Sequence, residues 1–284
     1  QGVAVRHTFR SPVAAGRPAH GAEGKNAPFR TMEVASRVHV FARVRPANER
    51  EVGFGPAVEL DDASCTVRVR NDVDIAERVL LGQNTDMAAV AAEAREFNFD
   101  GVFPSDATQR DVFTRVGLPV LRESLKGFNG TILAYGQTGS GKTHSLLHQG
   151  QKADEAGLLP RLVAHLFVHV QQDAANVYQV EAAAVQVYNE QVDDLLHPEH
   201  HSGGGHTLGV QNGGHIPNVT WIQCKKPDQM LEAFYRARAN VVYAETKMNK
   251  ASSRSHAVFQ VRITKRPRAT AAMQGATAQA MECT

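Results

Sequence analysis

Residues 136–143 read Gly136-Gln137-Thr138-Gly139-Ser140-Gly141-Lys142-Thr143, which is the spacing G-x-x-x-x-G-K-[ST]. A loop of this kind binds phosphate, and each residue type has a physical reason to be there. Glycine is needed because backbone N–H groups must turn inward around phosphate oxygens, at dihedrals and distances that a Cβ would obstruct. Gly136, Gly139 and Gly141 meet that need, Lys142 brings a flexible point charge to the β and γ phosphates, and Thr143 offers a hydroxyl to Mg²⁺. A helix starting at this point would direct its positive end at the anion. The chemistry expected is the binding of a nucleoside triphosphate with its magnesium.

The surrounding sequence supplies elements able to hold such a loop. "TILAY" at 131–135 is a short apolar strand leading straight into it, and helix-compatible sequence follows. "RVHVFARVRP" alternates Val38, Val40, Ala42 and Val44 as a half-buried strand does, and Pro46 stops it. "TVRVR" at 66–70 is a second alternating strand, and residues 85–96 are rich in helix formers. Residues 108–126 carry apolar side chains at helical spacing behind Thr108 as N-cap, with Pro119 expected to kink or divide the helix. "LPRLVAHLFVHVQQ" predicts a helix with Pro160 in its first turn; "VYQVEAAAVQVYNEQVDDLL" predicts a long strand turning into a short helix. Residues 198–215 form a glycine- and histidine-rich loop. Alternating strands and helices predict an α/β fold, a mixed central sheet with helices on both faces.

Composition narrows the class. The 284 residues are 42% hydrophobic, enough for a sizeable core, and 31 basic against 29 acidic side chains leave a net charge of +2. No global field draws the chain to nucleic acid, and no apolar run reaches the roughly 20 residues of a membrane span. Cys65, Cys224 and Cys283 are too few and too far apart for a disulfide framework or zinc site, which fits a reducing compartment. Residues 1–34 hold Arg, Gly, Pro and Ala with little periodicity and are expected to be a disordered extension; Met32 is the expected translation start.

Several stretches together resemble the kinesin motor domain: "FARVRP" at 41–46, "FNFDGVFPSDATQRDVF" at 97–113, "FNGTILAYGQTGSGKTH" at 128–144, "GLLPRLVAHLF" at 157–167, "VQVYNEQVDDLL" at 185–196 and "ETKMNKASSRSHAVF" at 245–259. They stand in that family's order from about residue 38 to 264. The resemblance implies a P-loop fold in a partial motor domain over 35–264, with 265–284 a loop or disordered end. It also implies an ATP-dependent microtubule motor, a microtubule-stimulated ATPase in the intact protein, located on the cytoskeleton in the cytoplasm. ATP and Mg²⁺ are the implied cofactors and tubulin the implied partner, with dimerisation through C-terminal regions beyond these residues.

The resemblance assigns roles residue by residue. Arg43, Arg45 and Pro46 match the motif along the adenine, and His144 matches the residue packing on the other side of the base. Gln137, Thr138 and Ser140 lie within the phosphate loop. Asn249, Ser252 and Ser253 match the first switch, reaching the γ-phosphate, the attacking water and Mg²⁺, so Thr143 and Ser253 are the metal candidates. Arg254 matches an arginine that pairs with a glutamate of the second switch. The acids Glu190, Asp193 and Asp194 are read as structural, and "KRPR" at 265–268 as a solvated loop.

The second switch, a D-x-x-G segment, is expected after "AVFQVRI", and residues 265–284 contain no aspartate. His215, Lys225 and Lys226 supply only a modest basic patch for tubulin, and Trp221 is unusual there. Phosphate binding without hydrolysis is therefore the expectation for these residues alone, and a non-motile nucleotide-binding or microtubule-associated regulatory module lacking hydrolysis is the alternative function.

Overall fold

A computed structural model describes residues 2–8, 38–49, 51, 58–69, 95–150, 152–197, 207–211, 215–241, 255–268 and 281–283. These fall into two compact units.

The first unit comprises residues 1–6, 38–119 and 132–161. Its main sheet has the order β6-β2-β1-β7, where β1 is Gly2–Thr8, β2 Val38–Arg43, β6 Gly101–Phe103 and β7 Asn129–Tyr135. β1 runs antiparallel to β2 and β6 runs parallel to it, so the sheet is mixed as expected. β1 departs from the disordered extension expected over 1–34: residues 2–8 are strand, paired to β2. The "GVAVRHT" stretch places Val3 and Val5 in alternation, a short strand signal hidden by the Gly- and Arg-rich composition around it.

A smaller antiparallel sheet, β3 (Val58–Asp61), β4 (Thr66–Val69) and β5 (Arg95–Asn98), lies in the same unit. Val67 from β4 joins Ala42 and Val102 in a buried cluster, flanked by Val58, Leu60, Val69 and Phe99. Residues 95 and 96, assigned from propensity to a helical insertion, are strand instead, because pairing to β4 decides their conformation. The rest of that insertion lies outside the described residues.

Helix α1 (Gln109–Val112) starts as expected at Thr108, whose side chain accepts from the Asp111 N–H while the Asp111 carboxylate accepts from the Thr108 N–H. The chain then widens into a π turn over Phe113–Gly117 before α2 (Leu118–Ser124). Pro119 has no N–H to give the preceding turn, and the π turn is how the helix continues through it. Gly117 sits where a Cβ would lie 2.8 Å from the Phe113 ring and 3.2 Å from Leu158, so only hydrogen lets those side chains close.

Helix α3 (Lys142–Leu147) follows the phosphate loop, and α4 (Leu158–Gln172) follows with Leu158, Val163, Leu166 and Phe167 buried. That spacing is the apolar stripe of an amphipathic helix, with Pro160 in its first turn.

The second unit comprises residues 7–37, 120–131 and 162–284. Its axis is β8 (Asn176–Tyr188), paired antiparallel over twelve positions with β12 (His256–Pro267). The other edge of β8 is shared between β9 (Gln191–Asp194) and β11 (Ile222–Gln223); β10 (Thr207–Leu208) pairs with β9 and β13 (Met281–Cys283) with β12. The expected short helix after β8 is a hairpin. Asn189 and Glu190 both take positive φ, 49° and 62°, the geometry of a tight two-residue turn that reverses the strand. The loop or disordered end expected over 265–284 is corrected where the chain is described: "KRP" at 265–267 continues β12, and 281–283 form β13.

Small side chains at Ala182, Ala183 and Ala184 are wholly buried, and α5 (Pro227–Ala239) brings Ala233 and Ala237 down against Ala184, Leu195 and Leu196. Phe234 meets Phe259 edge to face at 5.4 Å. Asp194 is completely buried and accepts from the Leu196 and Thr220 N–H groups, which makes it structural, as read from sequence. No helix among the described residues is long and apolar enough to cross a membrane.

Candidate nucleotide site

The phosphate loop sits where a strand must stop and a helix must start. β7 delivers the chain at Tyr135, and α3 begins at Lys142 with Gly141 as its N-cap. The intervening turn uses left-handed backbone at Gly139 (φ 82°) and Gly141 (φ 96°), which side-chain-bearing residues rarely adopt. No atom lies within 4 Å of where a Cβ on Gly139 would stand, so conformation rather than crowding selects glycine there. Gln137, Thr138, Gly139 and Thr143 are exposed, and Gly136, Ser140, Gly141 and Lys142 are partly buried. The Lys142 ammonium donates to the carbonyls of Gly136 and Gln137 at 2.6 and 2.9 Å, which holds its charge over the loop.

Next to the loop, a polar network gathers residues far apart in sequence. Arg43 at the end of β2 is only 8% exposed, and donates from Nη1 to Gln109 Oε1 (2.9 Å) and Ser145 Oγ (2.8 Å) and from Nη2 to the Ala107 carbonyl (3.3 Å). Burial holds its pKa below the ordinary arginine value. Gln109 in turn donates to the His144 carbonyl at 2.8 Å and approaches His144 Nδ1 at 3.2 Å. The His144 ring is stacked with His148, centroids 4.7 Å apart and planes tilted by 31°. Burial first, then the Arg43 charge, then His148 push the His144 pKa below that of a free imidazole.

The structure thus brings Arg43 and His144 together and treats Arg45 and Pro46 differently. Arg45 forks onto Glu51, with Nη1 to Oε2 at 2.7 Å and Nη2 to Oε1 at 2.5 Å, and also donates to the Pro46 carbonyl. The Arg45 hydrogen bond and then the Asn48 N–H draw the Glu51 pKa down to about 2. Arg45 therefore braces the turn after β2, while Pro46 is exposed beside it. Asn249, Ser252, Ser253 and Arg254 lie outside the described residues; the chain is described up to Val241, two residues past α5, and again from Ser255, just before β12.

Gln109, Ser145, His148 and Glu51 were not singled out from sequence. Gln109 did leave a signal: with Val112, Phe113 and Val116 it occupies the buried stripe of its helix, and a polar group in such a stripe must find partners.

The model of the kinesin motor domain matches residues 43–281. The chain belongs to the kinesin family. Among its kinesin relatives, Kinesin-related protein 1 of Dictyostelium discoideum is 33% identical over 247 residues, covering 80% of this chain and 10% of the relative. Kinesin-related protein 13 of the same organism is 31% identical over 242 residues, 84% of this chain and 18% of the relative. A solved structure of a fast kinesin superposes with a TM-score of 0.65 at 27% identity, covering 86% of this chain and 62% of that one. The kinesin match thus contains the phosphate loop and the Arg43–Gln109–His144 network, and the chain spans a minor part of its curated relatives' length.

Proposed function

We propose that these residues form the ATP-handling part of a microtubule motor. The observation that carries the reading is the phosphate loop: left-handed glycines at 139 and 141 between β7 and α3, with Lys142 held over the turn, inside a kinesin motor-domain match. The donor set suits Mg-ATP, with backbone N–H groups and an ammonium for phosphate and an exposed Thr143 hydroxyl for a hard cation. Bound magnesium would neutralise charge on the phosphates. Lys142 binds the phosphates, Thr143 and Ser253 hold the metal, and Arg43, Pro46 and His144 bound the base. Asn249, Ser252 and Ser253 orient the γ-phosphate and water, and Arg254 pairs with an acid of the second switch; positioning is most of what phosphoryl transfer asks of a protein. Tubulin is the partner, and the cytoplasmic microtubule array the location.

The test is titration of a fluorescent ATP analogue with Mg²⁺ against the chain and its Lys142→Ala variant, with phosphate release measured on the longest native reading frame with and without microtubules. Binding that weakens at least tenfold in the variant, and turnover raised by microtubules, are expected. Equal binding by both chains would refute the site. Turnover indifferent to microtubules would refute the motor.

A further inference from the structure

The strand that delivers the chain to the phosphate loop is weakly held by its side chains. None of the seven residues of β7 is fully buried, and Leu133 and Tyr135 are 57% and 76% exposed. Burial of apolar surface therefore contributes little to its position, and backbone pairing has to supply the rest. In the order β6-β2-β1-β7, β7 stands last, and β1 is its one hydrogen-bonded neighbour in that sheet among the described residues. β1 is paired in turn to β2, from Gly2 opposite Ala42 to Arg6 opposite Val38. The ladder from β2, which ends at Arg43, to the strand of the phosphate loop thus runs through residues 2–8. Those residues lie outside the kinesin motor-domain match, although β7 and the loop lie inside it.

Neighbouring strands stand about 4.8 Å apart, so β2 and β7 are about 10 Å from each other and cannot pair across the space that β1 fills. Withdrawing β1 would bare a hydrogen-bonding edge on each of them. β1 is joined to β2 by residues 9–37 rather than by a tight turn, so each docking of the strand closes a loop of that length. We propose that β1 is an exchangeable clamp on the nucleotide site, a strand added in cis between β2 and β7. Docked, it holds the phosphate loop in register with β2; withdrawn, it releases the loop. Main-chain hydrogen bonds supply the affinity in this mode of recognition, so the slot accepts an extended peptide of the same sequence in trans. That Mg-ATP binding depends on residues 2–8 rests on the function proposed above, whereas the clamp itself is a property of the sheet.

Hydrogen exchange in the 284-residue chain tests the clamp without nucleotide. Amides of residues 3–6 should exchange slowly, as in a strand paired on both edges, and unprotected exchange there would overturn the proposal. Ala4→Pro removes a ladder N–H from the middle of β1. In that full-length variant the amides of residues 132–135 should exchange at least about tenfold faster, while the ladder between β8 and β12 keeps its protection. Affinity for a fluorescent ATP analogue with Mg²⁺ should fall about tenfold. A synthetic peptide of residues 1–8 at about 1 mM should restore both readings, and the same peptide carrying the proline should not. Unchanged exchange at 132–135 in the variant, opening of the β8 and β12 ladder together with β7, or no response to the peptide would each overturn the clamp. Protected residues 3–6 in an unsubstituted chain that binds no analogue would instead sink the ligand, with the clamp still decided by exchange in the variant.

Discussion

The guanidinium of Arg43 donates to the hydroxyl of Ser145 at 2.8 Å across 102 positions of sequence, so the end of β2 is fastened to the helix that follows the phosphate loop. Two more acceptors, Gln109 Oε1 and the Ala107 carbonyl, share the same buried group. Arg43→Ala should therefore leave three oxygens without their donor and lower stability by about 2–4 kcal/mol in urea unfolding. Arg43→Lys restores the charge without the fork and should recover less than half. A loss below 1 kcal/mol for alanine would mean that water replaces the guanidinium at little cost.

Gly139→Ala separates conformation from space. Nothing crowds the position, but its φ of 82° costs a side-chain-bearing residue about 1–2 kcal/mol. Affinity for a fluorescent ATP analogue should fall by about tenfold. Undiminished affinity would show that the bound loop does not use left-handed backbone at 139.

Trp221, unexplained in the sequence, lies beneath Arg262, whose guanidinium carbon is 3.8 Å from the centroid of the indole ring. Glu181 stands 3.6 Å from the same guanidinium, so the indole face and a carboxylate hold one cation between them. A double-mutant cycle of Trp221→Leu and Arg262→Met should return a coupling of about 0.5–2 kcal/mol. Additive single losses would reduce the contact to mere proximity.

Asp173 and Tyr178 shape opposite ends of the pH profile. The Tyr178 hydroxyl at 2.6 Å, then the Asn176 amide, pull the Asp173 pKa down to about 2, while burial and then Asp173 itself push the Tyr178 phenol above its ordinary value. A lowered carboxylate pKa stabilises the fold above the unfolded value near 3.8, and that contribution is lost as pH falls toward 2. A raised phenol pKa stabilises below the unfolded value near 10, and is lost as pH climbs past it. In Tyr178→Phe, melting temperature should fall less steeply on both the acid and alkaline sides. A profile parallel to that of the unsubstituted chain would refute the coupling.

Local patterns carried much of this structure. Thr108 as N-cap, β7 before the phosphate loop and Pro160 in the first turn of α4 follow from rules that act over four or five residues. The hairpin at Asn189 and Glu190 was misread because "NEQVDDLL" has helix-compatible composition, and only pairing with β8 shows that β9 is a strand. β1 was missed for the same reason, since its seven residues gain their conformation from β2. At the site, the loop could be read from spacing alone, whereas Gln109 and Ser145 acquire meaning only when the fold brings them to Arg43.

The twelve-residue ladder between β8 and β12 also sets a timetable. β8 and β9 are joined by a two-residue turn and can pair within microseconds, but β12 follows roughly 70–90 residues later, and its pairing must close a loop of that length. Until then β8 carries Val180, Ala182, Ala183, Ala184 and Val185, which end up wholly or nearly buried, on a strand with one bare hydrogen-bonding edge. During synthesis that interval is the moment at which the chain is most prone to stick to its neighbours, and ribosome stalling before residue 256 should prolong chaperone attendance on it.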